Sequence, residues 1–214
     1  MTAVKMSEDA RTARDGIFRS SNRTYGETYI EPLIRAKFGL VPSGTGSFDA
    51  FSADKKIKYE IKSSKVLREK KEVEATTLFD VIAAAKQTDD LDRLIPTAEC
   101  ETAEYVANIQ NVKRDDFDIL IYVLLFEDAI KVFMIPSSKI NADNVPNWSD
   151  KHGRYDEFGK SGQFPIKAAN IKVHISNYAK TTLTWDEAAR IFKELAPNGE
   201  KHDKPEQIEK RKAC

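Results

Sequence analysis

In the segment Ile57-Lys58-Tyr59-Glu60-Ile61-Lys62-Ser63, charged and apolar side chains alternate. An extended strand turns every second side chain to the same face. Lys58, Glu60 and Lys62 therefore share one face, and Ile57, Tyr59 and Ile61 are expected to point into a core. A further acid, Asp49, lies on a preceding strand predicted from Phe48 to Ala53. A two-residue turn at Asp54-Lys55 sets Asp49 across from Glu60, whereas a four-residue turn sets it across from Lys62. Both registers bring Asp49 to the face of Glu60 and Lys62. Directly paired residues have Cβ atoms about 4.5–5.5 Å apart, and two carboxylates at that separation repel. A divalent cation between them turns that repulsion into a binding site, and hard oxygen ligands suit Mg²⁺, with Mn²⁺ as a substitute. A metal so held polarises phosphoryl oxygens and supplies hydroxide near neutral pH. Lys62 can orient the attacking water or stabilise charge growing on phosphorus. The chemistry these residues fit is phosphodiester hydrolysis.

The elements that must hold them follow from the periodicity. Tyr25 to Phe38 reads as a helix with Ile30, Leu33, Ile34 and Phe38 on one stripe, Gly39 as its stop and Pro32 as a kink or a second start. A turn-rich loop, Leu40 to Gly46, leads to the hairpin. Thr76 and Thr77 can cap a helix with Leu78, Val81, Ile82 and Ala85 on one face. Phe117 to Phe126 is nearly unbroken apolar sequence, as a central strand buried on both faces requires. Glu127-Asp128 turns it into a partner strand, Ala129 to Ile135, which Pro136 ends. Asn141 to Pro165 has little regular pattern, and Ile171 to Ile175 alternates as a half-buried strand does, with His174 in it. Thr184 and Glu187 form a capping box for a last helix whose stripe is Ala188, Ile191, Phe192 and Leu195. The fold class expected is α/β, a mixed central sheet flanked by α-helices.

The chain has 214 residues, room for one nuclease domain over residues 1–200 and a polar tail over 201–214. No stretch approaches the ~18 apolar residues of a membrane span, and the N-terminus lacks the apolar core of a signal peptide. Cys100 and Cys214 form neither a metal spacing nor a disulfide framework, which fits a reducing cytoplasm. Lys+Arg and Asp+Glu cancel at 34 each, which excludes coating nucleic acid by bulk charge. The charge is nevertheless segregated. Lys55 to Lys71 is strongly basic, and Glu72 to Glu104 is mostly acidic. A basic stretch beside an acidic surface suits a protein that grips a phosphate backbone in one place.

Gly-Ser-Phe-Asp-Ala-Phe, residues 46–51, followed by Tyr-Glu-Ile-Lys-Ser-Ser, residues 59–64, resembles the PD-(D/E)xK nuclease superfamily and most of all its type II restriction endonucleases. Asp49, Glu60 and Lys62 match the family's acidic residue and Glu-x-Lys, while Phe48 stands where the family name has proline. The resemblance implies a restriction-endonuclease-like core and metal ligands at Asp49, Glu60 and Ile61. It also implies Mg²⁺, double-stranded DNA and a homodimer on a palindromic site. Some members add a glutamate from the N-terminal helix. Glu27 is favoured here, at the edge of the buried stripe, with Glu31 one turn on and able to pair with Arg35.

Arg154 and Gln163 are the candidate base readers, since Arg matches guanine and Gln matches adenine bidentately in the major groove. Both lie in the irregular segment near 141–165, a candidate DNA-contacting loop. Lys65, Arg68, Lys70 and Lys71 need only placed charge, and are the candidate phosphate contacts. His152, His174 and His202 are too scattered for a zinc site. A site-specific endonuclease is the function expected. A repair nuclease or Holliday-junction resolvase shares the same strand pair, and a non-catalytic DNA-binding module is the alternative of a different class.

Overall fold

The computed structural model describes residues 6–21, 24–69, 77–78, 89–151 and 161–195. Its centre is the apolar run foreseen from the sequence. Strand β5, Ile119–Leu125, is buried on both faces and pairs in parallel with β3, Lys58–Lys65, and antiparallel with β6, Ala129–Pro136. Outward from β3 lie β2, Ala50–Phe51, and β1, Val41–Pro42; outward from β6 lies β8, Ala179–Thr184. The mixed sheet runs in the order β1-β2-β3-β5-β6-β8.

Period two divides the neighbours of this sheet. Ile61, Ile121, Val123, Leu125 and Val132 meet three helices: α1, Glu8–Arg19; α2, Glu31–Phe38; and α4, Trp185–Leu195. Leu120, Tyr122, Leu124, Phe133 and Ile135 meet a third layer. That layer holds a two-stranded sheet of β4, Ala107–Val112, and β7, Gly162–Ile166, together with helix α3, Ile171–Tyr178. The architecture is α/β, with a mixed sheet between layers.

Several sequence expectations are corrected. Ile171 to Ile175 is not a strand. It opens α3, because Ile171, His174, Ile175 and Tyr178 recur at helical spacing and turn together toward the core. Gln163 lies in β7 rather than in an irregular loop. Ile57 is exposed, one residue beyond the last strand pair of β2 and β3, although its carbonyl still accepts the Ser52 N–H at 2.9 Å. Leu195 is exposed at the end of α4, whose large core residue is Trp185. Thr184 caps that helix by accepting the Glu187 N–H at 3.1 Å, while the Glu187 carboxylate pairs with Lys37 at 2.5 Å. The helix expected after Thr76 lies outside the described residues apart from Thr77 and Leu78, and Leu78 is exposed. The tail over 201–214 also lies outside them.

Tyr25 to Phe38 is helical but not uniformly wound. Tyr25–Ile30 is a π-turn, and the Glu31 N–H bonds the Gly26 carbonyl five residues back. Pro32 supplies the cause. It has no N–H for the carbonyl four residues earlier, and its ring crowds that carbonyl, so the preceding turn widens. Gly39, at φ 63°, ends α2 in the left-handed conformation expected of it.

Candidate active site

The register settles the hairpin. Ala50 pairs with Tyr59 and Phe51 with Lys58, the ladder of the two-residue turn, and Asp49 follows at its end as a bend rather than as a further pair. β2 ends at Ala50, so past Tyr59 strand β3 has no paired strand on that side among the described residues. Asp49 takes over the edge. Its N–H donates to the Tyr59 carbonyl at 3.0 Å, and its Oδ2 accepts the Ile61 N–H at 2.7 Å. A strand residue points its N–H and C=O to the same edge. The Ile61 carbonyl therefore faces the Asp49 side too.

Glu60 and Lys62 share a face, as their spacing predicts, but Glu60 is buried at 7% exposure rather than solvated. Its carboxylate is ion-paired with the Lys62 ammonium. Burial pushes the Glu60 carboxyl up to about 7; Lys62 opposes that rise, and Asp49 and Asp116 add to it. At Lys62, burial favours the neutral amine, but Glu60, Asp49 and Glu31 outweigh it and hold the ammonium charged. Lys62 thus sits across the Asp49–Glu60 repulsion and offsets it.

The helix brings Glu31 to these residues, and the favoured Glu27, one turn earlier, adds its charge beside Glu31. Glu27 is exposed, whereas Glu31 is half-buried and feels both Asp49 and Lys62. Burial and Asp49 push its carboxyl up to about 7, against the lowering pull of Arg35 and Lys62. The pairing of Glu31 with Arg35, 3.5 Å, coexists with this placement.

The other candidates do not gather here. Lys65, expected on phosphate, is buried against main-chain carbonyls. Arg68 is exposed and ion-paired with Glu99. Gln163 is half-buried in β7, where its Oε1 accepts from Asn108 Nδ2 at 3.2 Å. Lys70, Lys71 and Arg154 lie outside the described residues. Asp116 was not foreseen from the sequence. Its place near Glu60 depends on the parallel pairing of β3 with β5, which docks the Asp118 N–H on the Lys58 carbonyl at 3.0 Å. Local sequence carries no signal of that pairing.

Among the described residues, no three His, Cys, Asp or Glu side chains stand ready around one metal position. Lys62 engages the Glu60 carboxylate, the Ile61 N–H engages Asp49, and Arg35 engages Glu31. The donors themselves are all oxygens, two carboxylates and the Ile61 carbonyl at one strand edge, which is the donor type Mg²⁺ takes. The residues fit the ion once Glu60 turns from Lys62. Also among the described residues, no helix is long and apolar enough to cross a membrane. Compared with known families and curated proteins, the chain matches no family model and no curated sequence.

Proposed function

We propose that the protein is a divalent-metal-dependent endonuclease of double-stranded DNA, of the type II restriction kind. One observation carries this: Asp49, Glu60 and Lys62 converge where β2 leaves β3, with the helix-borne Glu31 facing them. Asp49, Glu60 and the Ile61 carbonyl are the groups to hold Mg²⁺ or Mn²⁺, which supplies Lewis acidity and an acidified water when bound. Lys62 keeps its charge beside these acids and is placed to stabilise negative charge on a phosphoryl group. Glu31 and Glu60, raised to about 7, can each hold or release a proton near neutral pH.

One such site cuts one strand. A two-fold homodimer on a palindromic sequence would supply the other cut, and this is the assembly we propose. The unpaired, buried Cys100 is compatible with a reducing cytoplasm. Incubation of supercoiled plasmid and long linear DNA with Mg²⁺ tests the function. Discrete fragments are expected. A smear points to a non-specific or repair nuclease, and unchanged DNA to a resolvase or a binding module.

A further inference from the structure

Lys65 ends the strand that carries Glu60 and Lys62, and it is charged yet only 8% exposed. Its Nζ donates to the carbonyls of Phe18 and Ser20, both at 2.7 Å, and to Asp90 Oδ2 at 3.2 Å. It also lies 4.9 Å from the centre of the Tyr25 ring. Removing an ammonium from water is costly, and well-packed apolar side chains often stabilise a core as well or better. The ammonium adds directed bonds that an apolar side chain lacks. Phe18 and Ser20 are at the carbonyl end of α1, where a cation is favourable.

Tyr25 makes the second attachment. It opens the π-turn, and its hydroxyl donates to the Ser63 carbonyl at 3.2 Å. Gly26 follows against the same residue, with a Cβ built there at 3.6 Å from Ser63 Oγ. Odd-numbered residues of β3 turn their main-chain groups to the open edge. Asp49 takes those of Tyr59 and Ile61, and Tyr25 takes that of Ser63. The π-turn then runs without a break into α2, whose first residue is Glu31. The place along β3 where Tyr25 and Lys65 hold the turn therefore sets where Glu31 stands relative to Asp49 and Lys62.

We propose that Lys65 and Tyr25 are positioning residues, a clamp between β3, the end of α1 and the π-turn that holds Glu31 beside Asp49 and Lys62. The catalytic consequence rests on the endonuclease reading; the geometric one does not. The test uses full-length protein with spin labels at Ala36→Cys on α2 and Lys56→Cys at the hairpin tip, in a Cys214→Ser background. Tyr25→Phe and Lys65→Met are compared with the parent, and Tyr25→Phe, which keeps the ring, decides the matter if Lys65→Met does not fold. The parent should give one narrow distance distribution, and both variants a broader or shifted one. The Mg²⁺ concentration for half-maximal cleavage should rise about tenfold, as for lost outer-shell partners of a metal site. Unchanged distances in Tyr25→Phe, with or without a lower melting temperature, overturn the clamp. If the parent fails to cleave DNA, the endonuclease reading falls, and the distances still decide the positioning role.

Discussion

His174 gives the protein an acid sensitivity whose size follows from its surroundings. The ring is fully buried on α3, with Phe164 stacked on one side and Tyr122 and Tyr178 around it. Nδ1 shares a hydrogen bond with the Tyr122 hydroxyl at 2.9 Å, and Nε2 has no hydrogen-bond partner among the described residues. Burial depresses its pKa from 6.5 to about 4. From pH 6.5 down to about 4 the unfolded chain takes up a proton that the native state refuses, so stability falls as the pH falls. The gap corresponds to about 3 kcal/mol, fully present above 6.5 and lost by about pH 4. Glu31 and Glu60 act in the opposite sense. Raised to about 7 from 4.5, their contribution is present at low pH and lost as the pH rises between those values. The total profile should therefore be flatter than the His174 contribution alone. His174→Gln, neutral at every pH and able to accept from Tyr122, isolates that contribution. Urea unfolding of both proteins at several pH values should show the wild-type advantage shrinking by about 3 kcal/mol between pH 7 and pH 4. Parallel profiles would refute the burial of a neutral imidazole.

Other predictions test particular contacts. Gly162→Ala should destabilise by about 1–3 kcal/mol or more, because its Cβ would lie 2.1 Å from Trp148 Cη2 and 2.8 Å from the Ser149 carbonyl oxygen. An unchanged urea midpoint and tryptophan spectrum would contradict it. Asp49→Ala should cost about 1 kcal/mol through the Ile61 N–H left without its acceptor. Asp49→Asn, which keeps an acceptor oxygen, should melt near wild type; equal melting of the two variants would remove that hydrogen bond from the account. If Mg²⁺ binds with a dissociation constant of ~1 mM, 10 mM ion adds about 1.4 kcal/mol and raises melting by roughly 3–6 °C. Glu60→Gln should respond less, with or without duplex DNA, and an equal response would exclude Glu60 as a ligand.

Much of the fold was legible because its signals are local. The run from Ile119 to Leu125 has no charged residue and Tyr122 as its only hydroxyl, so a doubly covered strand suits it. Asp49, Glu60 and Lys62 could be grouped before their register was known, since either turn length left them on one face. What escaped depends on partners distant in sequence. Lys65 and Lys70 look alike in a basic run, and nothing nearby tells that the Phe18 and Ser20 carbonyls wait for Lys65. Glu27 was favoured over Glu31 on the pattern of the helix alone, and the burial of Glu31 beside Asp49 comes from packing that this pattern does not show. Ile-Lys-Val-His-Ile alternates like a strand, and only its continuation to Tyr178 reveals the helical period. Helix α1 was signalled by Ser7, which accepts the Ala10 N–H, with Glu8 and Asp9 in the first turn, but its polar composition hid the buried Ile17 and Phe18.

On the proposed function, Asp49 and Lys62 act together at one phosphodiester. The decisive measurement is the cleavage rate of one DNA preparation in Mg²⁺ with wild type, Asp49→Asn and Lys62→Gln, each shown by circular dichroism to be folded. Wild type should cut, stop on chelation and resume when Mg²⁺ is restored, and each variant should be slower by about 10²-fold or more. Cleavage by either variant within a few-fold of wild type would remove that residue from the reaction, and wild-type cleavage that survives chelation would rule out the metal.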